Sequence, residues 1–311
     1  MARINNFKNI IFLSVKFNRL IFKQGDNTMV ENVYIFNLMA LFIVYSFLGW
    51  CMEVFYAAFK TGKFINRGFL NGPFCPVYGF GAIGVLHFLS PLKNNLLLLF
   101  LLSSLMASFI EFMAGFVLEL LFKKKWWDYS NRKFNLFGYI CLEFSLIWGG
   151  ICIFIVKALN PIVLKLLGSL ELRFLIVLII ILYIYLFIDL IATARSVLKL
   201  NKNLDRVDLM GRKILKLSNK IGLLIAEDSL DLLYSAEKFA KDYEEFANNP
   251  DKKEALLKLK ALIQERNSFI RAKYLDHKRL FKAFPNLKSK DHNKIIKDLK
   301  YLIEHGISYK L

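Results

Sequence analysis

The 311-residue chain is 56% hydrophobic and has a formal net charge of +18. Soluble domains are usually about 45–50% apolar, so this composition argues against an ordinary soluble enzyme and indicates a membrane protein. The basic excess suits an anionic membrane surface. No nucleic-acid-binding motif accompanies it, so no specific nucleic acid is expected. The four cysteines form no CxxC pair and lack matching His spacing, and the sequence predicts neither a metal site nor a cofactor.

The long apolar runs occupy one block of the chain. We predict a basic amphipathic N-terminal segment over 1–33, a transmembrane domain over 34–193 and a cytoplasmic, helical, coiled-coil-like domain over 194–311. Residues 1–28 contain five basic side chains and an apolar run too short to span a bilayer. Either this segment forms an interfacial helix or translation starts at Met29, and a six-segment topology is a further alternative.

Helices that cross a bilayer need about 20 mostly apolar residues. Four segments reach or approach this length, and a shorter fifth is interrupted by glycines; in chain order the five are 34–59, 77–92, 95–122, 138–155 and 174–192. The sequence therefore predicts an all-α polytopic membrane protein with about five transmembrane helices, one of them broken or re-entrant. Basic residues concentrate after the first, third and fifth spans, which predicts an outside amino terminus and a cytoplasmic tail.

Acidic residues inside predicted spans are candidate functional groups, because a carboxylate at that depth must be neutral or paired. Glu53, Glu111 and Glu143 come from three different spans, and the predicted topology places all three in the cytoplasmic half of the membrane. We expect them to line a polar cavity that opens to the cytoplasm. Asp189 lies nearer a helix end, where its side chain could instead reach water.

The stretch INRGFLNGPFCPVYGFGAIG, residues 65–84, combines two prolines with five glycines beside these acids. Irregular backbone at membrane depth is tolerated where it is buried in protein or lines a cavity. We predict a broken or re-entrant segment that caps the acidic pocket, with Arg67 as counter-ion. Asn66, Trp50 and Tyr78 complete the candidate binding residues here. The alternative is an ordinary glycine-rich turn at the membrane surface.

A second dense stretch, KKKWWDYSNRKFNLFGY, covers residues 123–139. Its three lysines and the adjacent Trp126 and Trp127 are typical of an interfacial anchor. Asp128 and Arg132 add polar side chains beyond those that an anchor needs. Together with Arg67, this loop is predicted to bind an anionic headgroup or another anion.

Three motifs carry a family resemblance: YSFLGWCMEVFY, FINRGFLNGPFCPVYGFGA and WWDYSNRKFNLFGYICLEFSLIWG. Over about residues 40–155 the chain resembles the bacterial membrane family described as "Putative ABC-transporter type IV". The resemblance implies a multi-pass protein of the bacterial cell membrane and a permease-like role in transport. The sequence has no Walker A motif, so a nucleotide-driven role would need a separate nucleotide-binding subunit.

The C-terminal tail follows a different pattern. Over residues 203–225, apolar side chains recur at spacings of three and four, which favours a parallel homo-oligomer. An internal hairpin with residues 229–248 is the alternative.

Three functions stay open at this point. The first is a permease component with a polar pocket for a small solute or anionic lipid-like ligand. The second is a membrane enzyme acting on a lipid-linked substrate, with Glu53, Glu111 and Asp128 as acids or bases, although we predict no catalytic residue outright. The third is a scaffold or sensor that signals through the helical tail.

Overall fold

A computed structural model describes residues 27–220, 250–274, 277–289 and 292–305. Its helices are α1 (Asn27–Thr61), α2 (Pro76–Leu89), α3 (Leu96–Phe122), α4 (Leu142–Phe154), α5 (Asn160–Gly168), α6 (Leu172–Lys220), α7 (Pro250–Tyr274), α8 (Lys278–Ala283) and α9 (Asn293–His305). Four two-residue strands are β1 (Lys124–Lys125), β2 (Asn135–Leu136), β3 (Ile140–Cys141) and β4 (Lys288–Ser289). The predictions for residues 1–26, for the last five residues of 203–225 and for 229–248 fall outside the described residues.

Four of the described helical segments are long and apolar enough to cross a membrane: Ile35–Thr61, Leu96–Phe122, Leu142–Gly168 and Leu172–Asn219. A fifth apolar segment, Pro76–Leu92, is shorter. It begins directly after the irregular loop 62–75, with a proline at the first helical position, where the missing amide donor costs nothing. The prediction of an all-α polytopic protein is confirmed.

The fourth predicted span, 138–155, has different bounds in the structure. Gly138 has a φ of +72°, and β2 pairs with β3, so the helix begins only at Leu142. At the other end a π-helical turn, Ile155–Leu159, joins α4 to α5. Pro161 lies in the first turn of α5, and the wider turn before it accommodates a residue that cannot donate a main-chain hydrogen bond. The span therefore continues to Gly168.

The described chain forms two compact units. One contains the residues up to Val117 together with Trp127–Thr193, and the other contains Leu118–Trp126 together with the residues from Ala194 onward.

In the first unit, α1 and α2 pack closely because glycines face the partner helix. A Cβ atom on Gly49 would lie 2.4 Å from the Tyr78 ring, and one on Gly79 would lie 2.3 Å from Ser46 Oγ. Small residues at helix interfaces allow this approach in membrane proteins. The Cys75 amide then donates to the Ser46 carbonyl at 2.9 Å, which fixes the start of α2 against α1.

In the second unit, the C-terminal part of α6 supplies the core. Val207, Met210 and Ile214, from the predicted heptads, are buried within this single chain. Side chains from α7, α8 and α9 surround the same helix and leave an apolar cavity of about 20 Å³. The burial of these heptad residues thus needs no second copy, and the homo-oligomer through 203–225 stays a prediction.

The interpretation of 123–127 as an interfacial anchor is wrong for two of its residues. Lys124 is only 1% exposed and donates from Nζ to Ser289 Oγ at 2.8 Å, across the antiparallel pair of β1 and β4. The Trp126 ring is also buried, with its centroid 4.8 Å from that of Phe284. These side chains pack inside the second unit because a short strand pairing draws the segment into its core.

Candidate functional site

Glu53 is the centre of the first group of polar contacts. The Tyr78 hydroxyl donates to Glu53 Oε1 at 2.5 Å, and Arg67 Nε lies 3.4 Å from Oε2. Gly49 and Glu53 are four residues apart and so share one face of α1. Because Gly49 lets the Tyr78 ring approach, the tyrosine hydroxyl reaches the carboxylate one turn further along. The Arg67 guanidinium also lies over the Tyr56 ring, 5.1 Å from its centroid.

Asn66 in the loop and Trp50 on α1 connect these two elements. Asn66 Oδ1 accepts hydrogen bonds from Trp50 Nε1 and from the Gly68 amide, both at 2.9 Å. Its Nδ2 donates to the Asn71 carbonyl at 2.7 Å. These contacts tie the loop 62–75 to α1 and hold Arg67 beside Glu53.

Asp189 on α6 holds the other side of this loop, a role that the sequence analysis missed. The buried carboxylate accepts hydrogen bonds from the Gly72 amide at 2.7 Å, the Asn71 amide at 3.2 Å and Asn71 Nδ2 at 3.0 Å. Asn71 Nδ2 also donates to Thr193 Oγ1 at 2.8 Å. A Cβ atom at position 72 would lie 2.4 Å from the Tyr185 hydroxyl, so this approach requires glycine. The four-residue spacing of Asp189 and Thr193 was the available sequence signal.

Glu111 on α3 forms the second group. The Tyr129 hydroxyl donates to Glu111 Oε1 at 3.2 Å. Burial, followed by the charge of Glu111, raises the pKa of Tyr129 well above its ordinary value, so the phenol remains a donor. Glu111 Oε2 is buried and makes no hydrogen bond of good geometry to any described residue, although the Trp148 indole lies beside the carboxylate.

The two groups are neighbours. The ring centroids of Tyr78 and Trp148 are 5.4 Å apart, and Glu53 acts electrostatically on Glu111. We call the set Glu53, Arg67, Tyr78, Glu111, Tyr129 and Trp148 the acidic cluster. Two carboxylates from two spans thus share one polar region with a single arginine.

Three predicted site residues lie elsewhere. Glu143 pairs with Arg132 at 3.1 Å, and both side chains are more than half exposed. Ser145 of α4 faces α3 through a 2.6 Å contact with Ser108, and a position two residues earlier points about 200° away. Glu143 therefore does not join Glu53 and Glu111.

Asp128 stabilises its own turn. Its Oδ1 accepts hydrogen bonds from the Ser130 amide at 3.0 Å and from the Ser130 hydroxyl at 2.5 Å.

Residues 40–194 match the model of the family described as "Putative ABC-transporter type IV". No curated protein and no solved structure matches the chain. The matched range contains every member of the acidic cluster and also Asp189 and Thr193, and it extends the resemblance beyond the 40–155 range of the motifs. Over residues 40–194, the chain belongs to the family "Putative ABC-transporter type IV".

Proposed function

We propose that this chain is the permease component of an ABC-type transporter in the bacterial cell membrane, and that the acidic cluster holds its ligand. The observation that carries the proposal is Glu111 Oε2, a buried carboxylate oxygen without a well-formed hydrogen bond to the described residues. Leaving such a group unsatisfied costs about 1–3 kcal/mol, and more when it is charged. A ligand that donates to this oxygen would recover that free energy.

The chemistry of the cluster defines the ligand class. Arg67 is 31% exposed and can pair with an anionic group in addition to Glu53. Glu111 Oε2 accepts a hydrogen bond, and Tyr78 and Trp148 provide aromatic surface between the two. A small solute or a lipid-like headgroup that carries both an anionic group and a hydroxyl or amine donor fits these positions.

Energy for transport would come from a partner. The chain has no Walker A sequence, so a separate subunit would bind and hydrolyse the nucleotide. The basic loops after alternate spans support a cytoplasmic location for the tail, where such a subunit would be. A homo-oligomer through residues 203–225 belongs to the same proposal.

Purification from native membranes tests the proposal directly. Molecules that co-purify with the wild type are identified by mass spectrometry and compared with those of Glu111→Gln and Arg67→Gln. Glu143→Gln is the matched control, because its carboxylate belongs to an exposed ion pair outside the cluster. We expect one ligand to be retained by the wild type and the control and lost from both cluster variants. The same set of molecules in all four proteins would contradict the ligand site.

A scaffold or sensor is the second candidate, favoured by the continuity of α6 from a membrane span into the tail. Two changes separate it from the permease. If alanine at Glu53, Arg67 and Glu111 leaves the cellular phenotype intact while deletion of 194–311 abolishes it, the scaffold function is correct. The enzyme hypothesis has less support, because Asp128 is occupied in its own turn.

A further inference from the structure

Residues 127–141 form a hairpin with exposed apolar side chains. Phe134 is 80% exposed and Phe137 is 72% exposed, and Leu136 between them is half exposed. Arg132 and Lys133 directly precede them and are also exposed. We call residues 127–141 the interfacial hairpin.

The backbone holds these rings outward at a cost. Phe134 and Phe137 both have a φ of +52°, a region in which a side chain other than glycine costs about 1–2 kcal/mol. Local hydrogen bonds maintain the conformation: Asn135 Nδ2 donates to the Arg132 carbonyl at 2.8 Å, and the Gly138 amide donates to Asn135 Oδ1 at 3.2 Å. These bonds hold the backbone at both phenylalanines, and in this conformation both rings are exposed. Strain of this kind is usually associated with function.

Contacts with α3 fix the depth of the interfacial hairpin. The Phe112 ring lies 5.3 Å from that of Tyr139 and 6.4 Å from that of Phe137, centroid to centroid. Lys93 and two asparagines precede Leu96, which marks one boundary of the hydrocarbon core. At 1.5 Å per residue, Phe112 lies about 24 Å along the helix, and the opposite boundary lies at about 30 Å. Phe112, and with it the hairpin rings that contact it, thus lies about 6 Å inside this boundary, at the edge of the hydrocarbon core.

The backbone of the hairpin suits this position. Its polar groups bond to each other, with Tyr129 N donating to Gly138 O at 2.8 Å and Trp127 Nε1 donating to Tyr139 O at 2.8 Å. Irregular backbone at the edge of a bilayer must be satisfied internally in this way. Ile140–Cys141 then leads directly into the span that begins at Leu142.

We infer that the interfacial hairpin inserts Phe134, Leu136 and Phe137 into the adjacent leaflet at the boundary between its hydrocarbon core and its headgroups, with Lys133 beside the phosphates of anionic phospholipids. Aromatic rings and basic side chains favour this boundary. The inserted rings replace Trp126, which is buried in the second unit, as the aromatic anchor of this loop. The proposal is independent of the ligand in the acidic cluster.

Photo-crosslinking of the full chain tests this inference. Phe134→p-benzoylphenylalanine and Phe137→p-benzoylphenylalanine are irradiated in native membranes, and the adducts are identified by mass. Asn131→p-benzoylphenylalanine is the control, since Asn131 is an exposed polar residue of the same hairpin. We expect lipid adducts at 134 and 137 to exceed those at 131 several-fold. Adducts mainly with a second copy or another subunit, or equal lipid labelling at all three positions, would overturn the inference.

A second experiment tests whether the positive charge of Lys133 lies beside anionic lipid phosphates. The Phe134→p-benzoylphenylalanine protein is reconstituted in phosphatidylcholine vesicles with and without phosphatidylglycerol. Adducts should be enriched in phosphatidylglycerol relative to its share of the lipid, and Lys133→Gln should reduce that enrichment about fivefold, as expected for one basic side chain at an anionic surface. An enrichment that Lys133→Gln leaves unchanged would refute the assignment of Lys133 to lipid phosphates.

Discussion

Replacing Asp189 with asparagine should free the loop 62–75 from α6. The carboxylate accepts three hydrogen bonds from Asn71 and Gly72, and the shortest, from the Gly72 amide, is 2.7 Å. Asparagine has nearly the same shape, but one of its two polar atoms is a donor. If its remaining oxygen faces Asn71, its NH₂ group faces the Gly72 amide, and two donors meet.

The size of the effect follows from these contacts. A hydrogen bond to a charged group contributes about 1.5–3 kcal/mol, and the two bonds that remain become neutral and weaker. Asparagine is neutral, so the cost of burying the Asp189 charge disappears and offsets part of the lost hydrogen-bond free energy. We expect Asp189→Asn to lower the free energy of loop opening by about 2–4 kcal/mol. Thr193→Val removes the bond from Asn71 Nδ2, which keeps its bond to Asp189, and a long bond that the Thr193 hydroxyl donates to Asp189 Oδ1 at 3.4 Å. Because the second bond is long and weak, the variant should cost about 0.5–1.5 kcal/mol.

Trypsin cleavage after Arg67 measures this opening, because contacts to α1 also hold Arg67 and it is cut only when the loop has detached from both α1 and α6. When closing is faster than cleavage, the cleavage rate follows the open population. A change of 2–4 kcal/mol corresponds to a rate increase of roughly 30- to 900-fold. Asp208→Asn is the matched control, since Asp208 forms a surface pair with Arg212 on the same helix.

Two results would refute this reasoning. The first is cleavage of Asp189→Asn no faster than that of Asp208→Asn, which would mean that other contacts hold the loop. The second is cleavage of Thr193→Val as fast as that of Asp189→Asn, which would shift the anchoring role from the carboxylate to the hydroxyl.

Two further predictions concern packing and reactivity. Gly49→Ala places a methyl group against Tyr78 and should destabilise the protein by about 1–3 kcal/mol. Gly150→Ala adds a methyl group with nothing within 4 Å and should be neutral or slightly stabilising. Equal melting temperatures for both variants in detergent would contradict the close contact at Gly49. Burial, followed by the charge of Glu53, raises the pKa of Cys75 to about 12, so little thiolate exists at neutral pH. Maleimide should therefore label Cys75 only after unfolding. Labelling of Cys75 in the folded protein at the rate of a free thiol would contradict this prediction.

Much of the membrane fold could be predicted because it depends on local composition. Long apolar runs determined the spans, and the glycines and prolines of 65–84 indicated irregular backbone, which the structure has immediately before α2. Arg67 beside Glu53 followed from the same reasoning, since a buried carboxylate needs a cation nearby and the loop offered one.

The remaining contacts depend on pairings between distant residues. Asp189 and Asn71 are 118 positions apart, and no local pattern links them. Glu143 looked equivalent to Glu53 and Glu111 because depth can be counted along a helix, whereas its rotation about the axis depends on neighbours. Lys124 belongs to a run of lysines that indicates a surface, and its burial results from a strand partner at Ser289.

The hydrogen bonds that hold the loop 62–75 to α1 and α6 limit how the transport route proposed for this protein could open. Breaking three bonds to Asp189 at about 2 kcal/mol each would leave roughly one molecule in 10⁴–10⁵ with the segment detached at any moment. Spontaneous detachment of the loop 62–75 is then too rare to open a path for a solute. Entry of a solute would instead require the loop 62–75 and α6 to move together as a rigid body. The conformational change that drives transport would then have to act on α6.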